Sequence, residues 1–570
     1  MYLKKQMKNK RKTPPNKLKL YLFKSCIRAA FYSIKQEHRM FKIIFFLMNA
    51  LDGSRLLNLV NSKWGGALCA IVLGVLLSCA LAPFEIWPTA ILAYSFLMML
   101  LSVAKSKKKV FFTTLLFYAS YATVSLTWLN FVMEGFGELP SVLSNFVIVL
   151  FSFLYIALPY AILNTLAFYL SKGKTAVFLI SFMPVAFILS DFFTGWFLTG
   201  FPWLYPGYSC VEGPLKNFAP FIGVRGISAL IYIMSGAIAL TALRRFLFLP
   251  IAAVILLLGI FLEGVNFVTP LKAVDVTMVQ GNIEQQVRND GSRTNEVVAT
   301  YWDLTKDKIR KDRLIIWPES ALPFALEYGT SLVEELNNAF KEKDSALITG
   351  ILSTPDAGIH AYNSIIALGE TSDVLSITPY NKRELVPFGE IVPFADLLRP
   401  LGSIFVIPNS SFSYGDKVQE PIKVKGLEFT PAICYEAIFP ETVKAMDSDK
   451  TNAIVMLSND SWFGPTKAPV QHLNITRMRS LELQKPMLRD TNSGITAYID
   501  EFGKIQKVMP TDVASSIDFT FTPVSGQTLY SKIGDYGLLG IIVLLILFGI
   551  YGIVRKPDEL QEQMNKLIRP

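Results

Sequence analysis

Hydrophobic and polar positions divide the chain into three regimes. Between residues 66 and 266 the apolar runs are long and nearly unbroken, between Thr269 and Asp535 they shrink to short runs with polar interruptions, and a final apolar run covers 536–554. About 20 apolar residues cross a bilayer, and eight runs approach or exceed that length: 66–83, 86–104, 110–132, 141–170, 175–193, 219–243, 246–266 and 536–554. A tight turn around Pro83 separates the first two, and the fourth is long enough to tilt or to kink near Pro159. The run Ile43–Leu51 is too short to span and too far from Met1 to act as an ordinary signal peptide.

In the polar block the period changes. Short β-rich runs fall at Val274–Gln280, Leu314–Trp317, Ala346–Leu352, Ser364–Leu368, Leu427–Cys434, Ala453–Leu457 and Gly494–Ile499. Amphipathic helices are predicted at Thr294–Arg310, Ser331–Lys341 and Pro469–Gln484. Such alternation predicts a layered α/β sandwich with functional groups where strands give way to loops.

Composition agrees with a membrane protein: the chain is 52% hydrophobic and 13% aromatic, with mean hydropathy +0.39. The net charge of +10 comes from residues 1–63, where fifteen Lys/Arg face only Glu37 and Asp52. That arm reads as a basic cytoplasmic segment, with anionic lipid or RNA binding as the other use of such charge; a start at Met48 is an alternative reading of it. Lys105, Lys107, Lys108, Lys109, Lys172, Lys174, Arg244, Arg245, Arg555 and Lys556 fall on the arm's side of the segments, whereas the opposite loops 84–85, 134–140 and 194–218 hold one lysine, Lys216. The rule that basic loops stay inside then predicts cytoplasmic termini and an exported block, periplasmic in a bacterium.

The expected organisation is a basic arm (1–63), seven spans (64–268), a catalytic block (269–535), an eighth span (536–554) and a cytoplasmic tail (555–570). Of five cysteines only Cys434 lies in the exported block, so no disulfide forms within it. Its thiol is either a nucleophile or a small buried apolar group. His38, His360 and His472 are too scattered to support a zinc site or a Cys/His dyad. No metal or cofactor is expected.

Trp317-Pro318-Glu319, Tyr380-Asn381-Lys382 with Leu385 to Glu390, Ile433-Cys434-Tyr435-Glu436 and Ser458 to Gly464 resemble the ordered Glu, Lys and Cys motifs of the nitrilase superfamily. With Ala82-Pro83-Phe84, Trp87-Pro88, Gly200-Phe201-Pro202-Trp203, Gly207-Tyr208-Ser209, Gln471-His472-Leu473 and Arg489 to Gly494, the likeness narrows to the apolipoprotein N-acyltransferase family and runs from about residue 64 to 554. It implies a multi-pass α-helical membrane bundle of about eight helices carrying an αββα sandwich. It also implies acyl transfer from a phospholipid to a diacylated apolipoprotein in the bacterial inner membrane, by a monomer that does not bind nucleic acid.

On that resemblance Glu319 is the general base, Lys382 favours the thiolate and Cys434 is the nucleophile. The Lys382 charge and the Tyr435 N–H stabilise the oxyanion, while Glu390 and Glu436 orient Lys382 and the incoming amine. Trp203 is either a lipid contact or an interfacial belt residue. Two positions depart from the family pattern: no aromatic stands near Asn289, and Asp490 replaces a small residue. A membrane-tethered amidase would keep the same triad but pass the acyl group to water. A transporter would need polar or charged residues inside the spans, which are nearly free of them; Asp191 and Glu263 are exceptions near segment ends.

Overall fold

The computed structural model describes residue 62 and residues 64–356, 358–391 and 412–555; the basic arm up to residue 61, the run Ile43–Leu51 and the tail beyond Arg555 lie outside the described residues. Within the second of two compact units, the described residues from Ala67 to Arg555 form one body.

All eight apolar runs are helical. Four helices, Ser141–Leu170, Thr175–Thr199, Pro214–Ala242 and Tyr536–Val554, are long and apolar enough to cross a membrane; Lys107–Ser125 with Leu129–Gly135, bent by 57°, makes a fifth if counted as one span. Gly65–Ser78, Pro88–Ser102 and Phe246–Phe261 are shorter than the runs that contain them. Part of each missing length is chain that turns instead: after Ser78 the backbone folds through a sharp turn, and Pro88 restarts the helix at its first position, where its absent N–H costs nothing. Pro159 does not break its helix. The π turns Ser152–Ala157 and Phe178–Phe182 lie just before Pro159 and Pro184, and the wider turn makes room for each ring against the preceding coil. Thr175–Thr199 and Pro214–Ala242 are the central helices, 72% buried, against 33% and 22% for Ser141–Leu170 and Tyr536–Val554, whose apolar faces look outward.

The polar block contains two large sheets, besides a two-stranded pair of Val268–Pro270 with Val524–Gly526. The first runs Ser515–Phe521, Val274–Gln280, Arg313–Ile316, Ala346–Ser353, Tyr362–Leu368, Tyr380–Asn381, with Leu322–Ala325 beside Ala346–Ser353. The second runs Ile505–Val508, Ala497–Ile499, Met487–Thr491, Ala453–Ser458, Leu427–Ile433, Ile422–Val424. In each, three central strands are parallel and the strands flanking them in order are antiparallel, while Leu322–Ala325 pairs parallel with Ala346–Ser353. Period-2 alternation builds the layers. Leu314 and Ile316 face the second sheet's Phe429, Ile433, Val455 and Leu457, whereas Ile315 and Trp317 face the helices Thr294–Thr305 and Thr330–Glu342. Ala432, Ile454 and Met456 face the helix Ala468–Leu483 on the outer side of the second sheet. The result is helix, sheet, sheet, helix.

The predicted amphipathic helix at 469–484 corresponds to Ala468–Leu483, but it is not amphipathic. Leu473 and Leu483 pack on the sheet, while Ala468, Ile475, Met478 and Leu481 pack into the apolar helical bundle, so both faces are buried. Several of its polar residues find partners across that seam, although Ser480 Oγ and Arg479 Nη1 have none among the described residues. Glu482 bonds Arg479 (2.9 Å) and accepts the Val224 N–H (2.8 Å) from the helix Pro214–Ala242. Val224 is free to donate because Gly223, at φ +65°, interrupts that helix, and a side chain there would also collide with the Tyr530 ring.

Candidate active site

The carboxyl ends of parallel strands leave unpaired main chain and diverging loops, and open α/β sheets place their chemistry there. Glu319 stands three residues past Arg313–Ile316, and Cys434 directly follows Leu427–Ile433. Lys382 follows the edge strand Tyr380–Asn381, its N–H donating to Asn363 O (2.8 Å). Close approach of the Glu319 loop depends on Gly350 in the neighbouring strand, where a Cβ would lie 2.4 Å from Ser320 N.

These three positions converge. Lys382 Nζ lies 2.9 Å from Glu390 Oε1 and 3.5 Å from Glu319 Oε1, and Asn363 Nδ2 donates to both carboxylates, at 3.1 and 2.8 Å. The second oxygen of Glu390 accepts the Val386 N–H (2.9 Å). Lys382 and Glu319 are 1% and 7% exposed, and Cys434 is 7% exposed, so the charges interact across little water. Burial alone would lower the Lys382 ammonium, but Glu390, Glu319 and Cys434 hold it above the ordinary lysine range.

The thiol is different. Burial, followed by the Glu319 charge, pushes Cys434 up to about 12, against the downward pull of Lys382 and a hydrogen bond with Ser458. Lys382 therefore favours the anion in direction, but not enough to make a resting thiolate at neutral pH. A thiol so held would attack only with a base to take its proton. Cys434 also adopts φ +49°, a left-handed conformation that costs a residue with a side chain about 1–3 kcal/mol and turns the chain sharply at the strand end.

Glu436 is fully buried and receives the Ile433 N–H (2.7 Å), the Tyr380 hydroxyl (3.0 Å) and the Arg383 N–H. Its carboxylate thus clamps the main chain on both sides of the site, next to Cys434 and next to Lys382. Burial pushes it up to about 7, against those hydrogen bonds. Tyr435 sends its hydroxyl to Gly200 O (3.2 Å) in the bundle's loop, while its main chain lies in the 3-10 turn Cys434–Ile438. Trp203 is 2% exposed, which removes it from a lipid-facing belt. It stacks on His472 (centroids 5.8 Å apart) and donates Nε1–H to Gln471 Oε1 (2.8 Å).

Sequence reasoning passed over Asn363, whose only signal is an amide at the start of a buried strand, and noted the motifs around His472 without giving them a role. His472 Nε2 lies 3.2 Å from the Cys434 carbonyl oxygen, and Nδ1 lies 3.1 Å from Asp460 Oδ1. Arg489 Nη2 donates to Asp460 Oδ2 (2.6 Å). His360, by contrast, is exposed and paired with Asp356, and His38 lies outside the described residues. On the flank where no aromatic stands near Asn289, Arg288 Nη1 donates to the Glu319 carbonyl (3.2 Å). Asp490 lies buried in the second sheet, Oδ2 accepting the Val279 N–H (3.3 Å) from the first; burial holds its carboxyl well above the usual range.

Residues 73–237 match the family model for the apolipoprotein N-acyltransferase N-terminal domain, and 275–517 match that for carbon-nitrogen hydrolase, which makes the two-sheet block a nitrilase-like fold. An apolipoprotein N-acyltransferase of Vibrio cholerae is 37% identical over 474 residues, 81% of this chain and 92% of that protein. One of Haemophilus influenzae is 35% identical over 502 residues, 85% of this chain and 94% of the relative. Among solved structures, a carbon-nitrogen hydrolase from Helicobacter pylori G27 is 14% identical with a TM-score of 0.33, covering 44% of this chain and 89% of its own. With relatives matched over nearly their full length, the chain belongs to the apolipoprotein N-acyltransferase family.

Proposed function

We propose that this protein moves a fatty acyl chain from a phospholipid, through a thioester on Cys434, to the α-amino group of the S-diacylglyceryl cysteine that begins an apolipoprotein. The observation that carries this reading is the buried meeting of Glu319, Lys382 and the Cys434 turn at the ends of two facing sheets, beside an apolar helical bundle. In the first half-reaction Cys434 Sγ attacks the acyl ester carbonyl as Glu319 takes the thiol proton. Lys382 and the Tyr435 N–H face the oxyanion. When the C–O bond breaks, Glu319 returns the proton to the departing lysophospholipid oxygen, leaving the thioester.

In the second half-reaction the amine attacks the thioester carbonyl, Glu319 accepts an ammonium proton, and the C–S bond breaks as the proton returns to sulfur. Glu390 and Asn363 hold Lys382 and Glu319 in register throughout. The eight apolar helices are read as eight spans in the bacterial inner membrane, the three short ones included, with termini cytoplasmic and the hydrolase block periplasmic, as the basic loops favour. Residues 64–268 and 536–554 form the lipid-facing part and 269–535 the catalytic block of a monomer.

The test is direct: purified protein with phospholipid alone should carry a hydroxylamine-sensitive acyl mass on Cys434, absent from Cys434→Ser. An acyl adduct on Cys210 with Cys434 unmodified would overturn the assignment.

A further inference from the structure

One buried polar group near the nucleophile has no part in the proton transfers above. His472 is 1% exposed, and its Nε2 faces a carbonyl oxygen, that of Cys434, at 3.2 Å. A carbonyl oxygen only accepts, so Nε2 carries the proton and donates. With Nε2 protonated, Nδ1 accepts from Arg489 Nη2 at 3.3 Å, and Asp460, whose Oδ1 lies 3.1 Å from Nδ1, anchors that same Arg489, so the ring is held in place on both edges. Asp460 is itself pinned by Ser458 Oγ (2.8 Å) and Arg489 (2.6 Å), all within the buried interior.

The carbonyl so held belongs to the residue with φ +49°. A cysteine keeps that conformation only where its surroundings over-determine it. Flipping the Cys434–Tyr435 peptide would move the Tyr435 N–H as well as the carbonyl, since the two groups share one plane. The ring face of His472 meanwhile lies on Trp203, whose indole is tied through Gln471 to Ala82 O of the bundle's first turn. An unbroken chain of contacts therefore runs from Ala82 and Trp203 in the bundle to the main chain of Cys434.

We propose that His472 is a positioning residue: its Nε2–H fixes the Cys434–Tyr435 peptide so that thiol and oxyanion donor point into one site, and Trp203 couples that setting to the helical bundle. The proposal rests on Cys434 being the nucleophile. The variants are His472→Phe, which keeps an aromatic ring and removes the donor; His472→Gln, whose amide restores an N–H near Nε2; and Trp203→Phe, which keeps the stack and removes the Gln471 bond.

Single-turnover acylation of Cys434 from phospholipid vesicles is followed by intact-protein mass spectrometry, alongside the vesicle concentration at half-maximal rate and the thermal unfolding midpoint. His472→Phe should slow acylation at saturating lipid by tenfold or more while half-saturation shifts less than threefold. His472→Gln should recover most of that rate at an unfolding midpoint similar to His472→Phe, and Trp203→Phe should fall between wild type and His472→Phe. Acylation of His472→Phe within threefold of wild type overturns the proposal, as does a His472→Gln rate no better than His472→Phe. Equal rates for Trp203→Phe and wild type overturn the coupling. Absence of any adduct on wild-type Cys434 is a different result, and would contradict the proposed reaction instead.

Discussion

At the scale of single residues, burial keeps the Cys434 thiol neutral beside Glu319 and the Lys382 ammonium. Because the Glu319 charge is one cause of the raised thiol, Glu319→Gln should lower the Cys434 pKa while removing the proton acceptor. Alkylation by iodoacetamide should then rise with pH throughout 7–10 in wild type, with no plateau, and reach a given rate at lower pH in Glu319→Gln. Acylation by phospholipid should fall by about 10²–10⁴ in the same variant, a range typical for loss of a general base. Lys382→Ala should also lose acylation, by about 10²–10³ for a lost oxyanion contact, but with alkylation slower than wild type because the charge that favours thiolate is gone. A plateau in wild-type alkylation near pH 7 would contradict the neutral resting thiol.

Asp490 gives a second pH test. Its carboxyl is held well above the ordinary range, so the stability that accompanies its neutral form is present at low pH and lost as pH rises toward the folded value. Asp490→Asn keeps an acceptor for Val279 N–H and removes the ionisation. Its unfolding midpoint relative to wild type should climb as pH rises above the ordinary aspartate range; parallel curves there would show that the folded-state carboxyl is not held above that range.

At the scale of elements, the seam helix Ala468–Leu483 carries the clearest energetic consequence. Arg479 and Glu482 are 0% and 1% exposed along their side chains, and removing one partner of such a pair leaves an uncompensated buried charge, about 3–5 kcal/mol. Glu482→Ala should therefore sharply lower the unfolding midpoint in detergent, and Arg479→Met with Glu482→Met should recover part of the loss. The helix also shows what the sequence made legible. Its bounds were readable to within a residue, but its partners were not, because a run such as Gln471-His472-Leu473-Asn474 looks solvent-facing until the bundle supplies Trp203 and Ala82 O to receive it.

Strands divide in the same way. Val274–Gln280 and Ala453–Ser458 carry enough β-branched residues to be read directly, whereas Met487–Thr491 contains Arg489 and Asp490, so its full burial is invisible without the strands on either side. Ser515–Phe521 pairs along its whole length with Val274–Gln280, yet only Ile517, Phe519 and Phe521 signal it. Glu319, Lys382 and Cys434 were legible as motifs. Their convergence was a matter of topology.

At the scale of the whole molecule, bundle and hydrolase block share one apolar core: Tyr435, Ile438, Phe439, Ile475 and Met478 pack with the helices Thr175–Thr199 and Pro214–Ala242. Residues 269–535 expressed alone would expose that surface, and they should aggregate or exchange amide hydrogens rapidly along Ala468–Leu483 even if the sheets form. A soluble fragment with full protection of that helix would refute the shared core. The apolar helices also have a purpose beyond tethering if both substrates are lipids, since the acyl chain must reach Cys434 from the bilayer.

The central claim is transfer to an amine instead of to water. Acyl-enzyme formed from labelled phospholipid, freed of excess lipid and divided in two, should keep its label in buffer and lose it within turnover time when a diacylated lipopeptide with a free N-terminal amine is added, the label appearing as triacylated peptide. Loss of the label to free fatty acid at the same rate with and without the lipopeptide would contradict the account.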